Sequence, residues 1–337
     1  MSGLSNALTK LTQTNQPIWQ APLPFDLIPA HVAGTISAHG ALGAIRIGEH
    51  SNKNDLTAAI EAYKLHHNHP AFCFAHALPN TDTALANQDE YQHLFAQAGL
   101  ETSQIGQPDT FSELLEIAIN SQPRAIGFAQ GLPQRHDLER IRTASILTFA
   151  ICHSVAEAVV AEDQGIDIVV LQGDEAGGLH SHFPNTLPQQ PQNVLTLLKQ
   201  ARELVSCPLV VWGDFPQGRD IVAAIISGAQ AVMIDRPLLS CNEIELNESQ
   251  RTQLQTQNET QSLISDQFST LPMRLLPNPL TERLHSDHPQ REIILHEILR
   301  RRPEWRPLCV SPTLCKQYST ISDCFNAYQQ DIAQYLA

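Results

Sequence analysis

The sequence predicts an α/β chain folded as a (β/α)8 barrel with an additional, mostly helical C-terminal segment. Three observations predict it. Over the first 240 residues short apolar runs alternate with longer helical patterns, the rhythm of a parallel sheet. The apolar runs number eight, the count that closes a barrel. The Gly-x-Gly-x-x-Gly turn that opens a doubly wound dinucleotide-binding sheet does not follow the first strand.

The predicted strands are Ile18–Ala21, Leu42–Ile47, Phe72–His76, Ala125–Ala129, Ile146–Ile151, Ile168–Gln172, Leu209–Trp212 and Ala231–Ile234. Each is a short run rich in apolar and β-branched residues, as a strand covered on both faces must be. Between them, helical spacing predicts Leu27–Ala38, Leu56–His66, Phe111–Asn120, Val155–Gln164, Val194–Leu204 and Ile221–Ser227, with a short helix at Asp137–Arg142. Ser154 is placed to cap its helix, with Glu157 three residues on completing a capping box. Residues 78–110 form a polar excursion with one helix near Asp89–Ala98. After residue 240 the rhythm stops. Residues 241–262 are rich in Gln, Asn and Glu and read as exposed loop or surface helix. Residues 263–337 are helical in pieces, at Glu292–Arg300 and Ile321–Tyr335. The expected organisation is a barrel over 1–240, followed by a polar linker and helical segment over 241–337 that packs on it. Whether that segment lids the mouth or covers the side is open at this level.

Composition excludes several classes of partner. The chain has 337 residues, 42% of them hydrophobic, and a formal net charge of −14. Phosphate backbones and anionic membranes attract clustered Lys and Arg, so nucleic acid and membrane are both disfavoured. No apolar stretch approaches the roughly 18 residues that span a bilayer. The N-terminal stretch lacks the apolar core of a signal peptide, so a cytoplasmic location is expected. The seven cysteines are widely spaced, which in such a compartment reads as thiols rather than bridges.

Chemistry concentrates after the sixth strand. Residues 171–183 read Leu-Gln-Gly-Asp-Glu-Ala-Gly-Gly-Leu-His-Ser-His-Phe. Paired glycines permit close backbone approach to a ligand, and two histidines set titratable groups beside them. Loops at the C-terminal ends of parallel strands gather into the active face of a barrel. Gln172 offers a donor and an acceptor to a bound group. His180 is the first candidate base and His182, pointing the same way by alternation, the second. A zinc hydrolase combining Asp174, His180, His182 and another strand-end histidine is a weaker enzymatic reading, and no metal ligands are assigned.

The ordered motifs resemble those of the nitronate monooxygenase (2-nitropropane dioxygenase) family of FMN-dependent TIM barrels. Gln20-Ala21-Pro22 looks like the end of the family's first strand, and Gly127-Phe128-Ala129-Gln130-Gly131-Leu132-Pro133 is similar to its fourth-strand motif. Gln172-Gly173-Asp174-Glu175-Ala176-Gly177-Gly178 matches the family signature Gln-Gly-x-Glu-Ala-Gly-Gly, and Ser227 to Met233 looks like the segment feeding the last strand. The agreement runs in order over residues 17–238.

The resemblance implies FMN across the mouth and oxidation of alkyl nitronates by oxygen to a carbonyl compound and nitrite. Gln20, Ala21 and Pro22 would then lie by the ring and Gln172 at a cofactor edge, with Gly213, Gly218, Asp235 and Arg236 around the phosphate and His76, Gly177 and Gly178 as further cofactor-binding residues. Departures fall at the site itself. Leu179 stands where the family has its histidine, Asp214 replaces the second glycine of a pair, and Asp235-Arg236 replaces a phosphate-holding Gly-Thr. Two carboxylates near a phosphate oppose binding unless Arg219 or Arg236 offsets them. Two alternatives therefore stand: an FMN-dependent enoyl-type reductase using reduced nicotinamide, and a non-catalytic barrel that binds a small metabolite. The expected partners are a small-molecule substrate with oxygen or reduced nicotinamide, and a homodimer is the oligomeric option.

Overall fold

In the computed structural model the described residues are 5–48, 50–76, 88–102, 108–184, 186, 190–256, 262–269, 271–278 and 291–336. Eight parallel strands form the barrel: β1 (Ile18–Gln20), β2 (Ala44–Ile47), β3 (Ala71–His76), β4 (Ala125–Gln130), β5 (Leu147–Cys152), β6 (Ile168–Gln172), β8 (Leu209–Trp212) and β9 (Ala231–Ile234). They run in the order β1-β9-β8-β6-β5-β4-β3-β2. A bridge between Trp19 and Leu42 brings β1 to the chain entering β2 and closes the ring. Past that bridge the two strands part, and the Gln20 side-chain amide continues the ladder, donating to the Ala44 carbonyl and accepting from the Ala44 N–H at 3.1 Å each.

All eight strands stand where the sequence places them, with ends shifted by two residues at most. Three of the outer helices are α2 (Ala30–Ala38), α3 (Lys53–Lys64) and α5 (Phe111–Asn120). Then follow α6 (Arg135–Thr143), α7 (Val155–Asp163), α8 (Val194–Ala201) and α9 (Gly218–Ile226). The first of these starts later than periodicity predicts, because Phe25 and Asp26 adopt positive φ and Pro29 forms the N-cap. Ser154 caps α7 as expected, but the Glu157 carboxylate goes elsewhere, to the His153 N–H at 2.7 Å and the Phe183 N–H at 2.8 Å. A short α1 (Ala7–Leu11) precedes β1, and α4 (Gln88–Gln97) is the helix expected in the polar excursion, of which residues 78–87 and 103–107 lie outside the described residues.

Beyond β9 come α10 (Arg236–Leu239), α11 (Glu248–Thr256), α12 (Arg291–Arg301) and α13 (Ile321–Leu336). A second sheet, not foreseen, orders β10 (Leu263–Ser265), β11 (Met273–Leu275) and β7 (Gly178–Leu179) antiparallel. It fastens the glycine loop to the C-terminal segment. The tail does two things. Residues 309–313 cross the barrel mouth, and α13 lies along α9, where Tyr328 Oη donates to the Phe215 carbonyl at 2.7 Å. One hydrophobic core runs from Leu8 through the barrel to Ile332. All seven cysteines are free thiols, and no helix among the described residues is long and apolar enough to cross a membrane.

Candidate active site

The C-terminal ends of the strands bring the predicted site residues into one region, but most of them already bond to the chain itself. Gln172 ends β6 fully buried. Its amide donates to the Leu179 carbonyl at 2.9 Å and accepts the Ser181 N–H at 2.7 Å. The glycine loop is thus folded back across the end of its own strand. Ser181 follows into the mouth, its hydroxyl seated between the carbonyls of Ala129 and Ile151, on β4 and β5. Leu179 pairs with Met273 across β7 and β11, so the extra residue is held in a sheet rather than absorbed by the glycines.

The phosphate side is likewise engaged. Asp235 is 1% exposed. Its Oδ2 accepts the Gly177 N–H at 2.9 Å and Trp212 Nε1–H at 3.1 Å. Its Oδ1 accepts the Ser311 N–H at 3.0 Å and hydroxyl at 2.8 Å, and the Arg236 N–H. A carboxylate surrounded by five donors occupies an anion cradle. Asp214 accepts from the N–H and hydroxyl of Thr313, and burial raises its pKa. Gly213 packs against Val194 and Glu175. The Gly218 N–H meets the Asp331 carboxylate of α13 at 3.2 Å, and a Cβ there would strike that helix. Arg236 is taken up by the carbonyls of Leu254, Ser311 and Pro312.

These facts test whether FMN fits. The ring would enter between Pro22, Ala75, Ala129, Leu179, Ser181 and Trp212, where the remaining cavity measures about 20 Å³. That volume holds about one water, against roughly 300 Å³ or more for a small-molecule pocket. Where the resemblance puts the phosphate, the Asp235 carboxylate already fills the cradle. In this conformation the residues present do not fit the group, and Arg236, the offset that sequence suggested, serves the tail. Gln20 and Gln172 have both amide ends on backbone. Ala21 donates its N–H to Ile234, while His76 ends β3 half-buried, in register with Gln130.

The two candidate bases part company. His182 is 37% exposed at the side chain, with Nδ1 3.6 Å from Glu157 Oε1. His180 is 5% exposed, donates its backbone N–H to the Pro272 carbonyl at 2.9 Å, and stacks on His153 with centroids 4.8 Å apart. Burial, then the neighbouring His153 and Arg274, lowers its pKa to about 3. Burial also lowers that of His153. Both imidazoles are therefore neutral at pH 7. Sequence reasoning missed Trp212 and Ser311 as cradle donors, and Arg274, which reaches Asp174. Ser311 and Arg274 sit in a tail without barrel rhythm and carry no signal.

A family model for nitronate monooxygenase matches residues 5–297. The chain belongs to the nitronate monooxygenase family. A probable nitronate monooxygenase of Bacillus subtilis is 26% identical over 284 residues, 82% of this chain and 81% of that protein. One from Staphylococcus saprophyticus is 24% identical over 84% of this chain and 81% of its own length. Among solved structures, nitroalkane oxidase from Streptomyces ansochromogenes superposes with TM-score 0.81 at 22% identity, covering 98% of this chain and 100% of that one. FabK from Thermotoga maritima gives 0.74 at 18% identity, covering 98% and 97%. The barrel expected from the sequence is thus the fold of these oxidoreductases, and the chain is a member of an oxidoreductase family whose resemblance implies flavin.

Proposed function

We propose that this chain keeps the barrel and the small organic anion ligand of its nitronate monooxygenase relatives but does not carry flavin in the family's cradle. The observation that carries this reading is the buried Asp235 carboxylate, bonded to Gly177, Trp212 and Ser311 where the resemblance puts a phosphate. A dianion cannot share that space with a carboxylate at acceptable electrostatic cost.

Support for the anion comes from a cavity of about 460 Å³ between the mouth ends of β1 and β2, α3 and the tail. Arg46, His31, His50, His296 and Arg306 line it against Asp26 and Asp55. Arg46 interacts electrostatically with the Asp26 carboxylate across this cavity. A guanidinium facing a cavity of small-molecule size suits a nitronate or carboxylate.

The purified protein should be colourless, and adding FMN should leave its melting temperature unchanged. The nitronate of 2-nitropropane should raise that temperature, and Arg46→Met should abolish the gain. A second reading rests on the Gln172–Gly178 signature: FMN-dependent oxidation of alkyl nitronates with oxygen, or, on the same flavin, reduction of an activated double bond by reduced nicotinamide. Its test is the same purification. A yellow protein that takes up oxygen and releases nitrite with a nitronate would replace the first reading.

A further inference from the structure

Three side chains at the mouth end in buried polar atoms that have nothing to bond. His153 comes from the turn between β5 and α7, Asp174 from the loop after β6, and His180 directly follows β7. His153 Nδ1, Asp174 Oδ1 and His180 Nε2 are each shielded from solvent with no hydrogen-bond partner. One nitrogen of each ring and one oxygen of the carboxylate lie within 4.8 Å of one another. Leaving one such atom unpaired is costly, and three clustered side chains that each carry one invite a shared partner.

The surroundings hold the three groups in place. Arg274 lies 3.6 Å from Asp174 Oδ2 and donates from Nε to the Asp174 backbone carbonyl at 2.9 Å, leaving Oδ1 to face His180 Nδ1 at 4.0 Å. The His153 backbone N–H is held by buried Glu157, and the His180 backbone N–H by the Pro272 carbonyl. Neutral imidazole is the form that binds a metal. The positive charge of Arg274 is partnered by Asp174, and Glu157 lies behind His153 and His182. A second group, Asp26, His50 and His296, is a weaker candidate, because Asp26 is 57% exposed at the side chain and its carboxylate already meets His296.

We propose that His153, Asp174 and His180 bind one divalent first-row metal ion, Zn²⁺ or Fe²⁺, through two imidazole nitrogens and one carboxylate oxygen. Two histidines and one carboxylate with further positions open form the donor set of non-haem iron sites and of catalytic zinc sites. Ligand atoms about 2.1 Å from a metal stand roughly 3–3.5 Å apart, so the side chains close in slightly on binding. The site does not depend on how the Asp235 cradle or the cavity beside β2 is filled.

The test uses full-length protein stripped with chelator, titrated with Zn²⁺ by calorimetry and with Co²⁺ by visible absorbance. One equivalent per chain is expected, with Co²⁺ bands of a mixed nitrogen and oxygen site. Asp174→Asn and His180→Gln should weaken binding by about tenfold or more, while His136→Ala, on the exposed face of α6, should bind as wild type does. Because His180 is buried, circular dichroism checks its variant, and the part-exposed Asp174→Asn carries the test if that variant fails to fold. Wild-type protein that takes up no stoichiometric Zn²⁺ or Co²⁺ would overturn the proposal. So would Asp174→Asn binding as tightly as wild type, or loss of the site on His296→Ala alone.

Discussion

Replacing Asp235 with alanine should cost about 3–5 kcal/mol of stability, the scale on which one partner is removed from a buried charged network. The carboxylate receives the N–H groups of Gly177, Ser311 and Arg236, the Trp212 indole N–H and the Ser311 hydroxyl. With the side chain gone these donors face a dry space, and each one left unpaired carries its own desolvation cost. Urea unfolding followed by tryptophan fluorescence measures the loss, since Trp212 reports from the cradle itself. Inorganic phosphate gives the sharper readout. If the cradle is the family's anion position, millimolar phosphate should recover part of the melting temperature of Asp235→Ala and leave wild type unmoved, as ligand linkage requires. A variant losing under about 1 kcal/mol, or indifferent to phosphate, would show that the five bonds do not act as an anion site.

The barrel was legible because eight buried strands write themselves as short apolar runs, and burial on both faces leaves little freedom in where they start. Ile168–Gln172, Leu209–Trp212 and Ala231–Ile234 have the ends that the sequence predicts. The mouth was less legible because its closure is built from residues far apart in the chain. Leu179 meets Met273, Gly177 meets Val310, and Asp235 meets Ser311. No local pattern announces such pairings. Gln20 and Gln172 show a different ambiguity. An amide suited to a cofactor edge is equally suited to a backbone, and here each bridges a donor and an acceptor of its own chain. In sequence, Gly177 and Gly178 read as room for a ligand. A Cβ at Gly177 would sit 2.6 Å from Val310, so that close approach serves the tail, while Gly178, at φ +88°, makes the turn into β7. Asp214, Asp235 and Arg236 are three of the residues at which the chain departs from the family pattern, and all three bond to residues 311–313. These three departures and the crossing tail are one structural change.

Arg236→Leu tests that unity. The guanidinium is 1% exposed, and burial lowers its pKa without removing its charge. It donates from Nη1 to the carbonyls of Ser311 and Pro312 and from Nη2 to that of Leu254, each at 3.0 Å. Leucine fills part of the volume but leaves three carbonyls bare, those of Ser311 and Leu254 buried and that of Pro312 partly so, for an expected loss of about 3–5 kcal/mol. Lysine keeps the charge but lacks the planar fork that reaches both sides of the tail, so Arg236→Lys should recover only part of it. Limited proteolysis should cut between residues 240 and 320 faster in Arg236→Leu than in wild type, since the crossing segment is then held mainly by Asp235 and Asp214. The decisive number is the double variant. Asp235 and Arg236 grip opposite sides of Ser311, one its N–H and hydroxyl, the other its carbonyl. Once either grip is lost the segment lifts and the second has little left to hold. Asp235→Ala with Arg236→Leu should therefore cost less than the sum of the single losses by about 1–3 kcal/mol. Strict additivity in urea unfolding would mean that the two residues stabilise separate parts of the chain, and that the tail does not close the mouth as a unit.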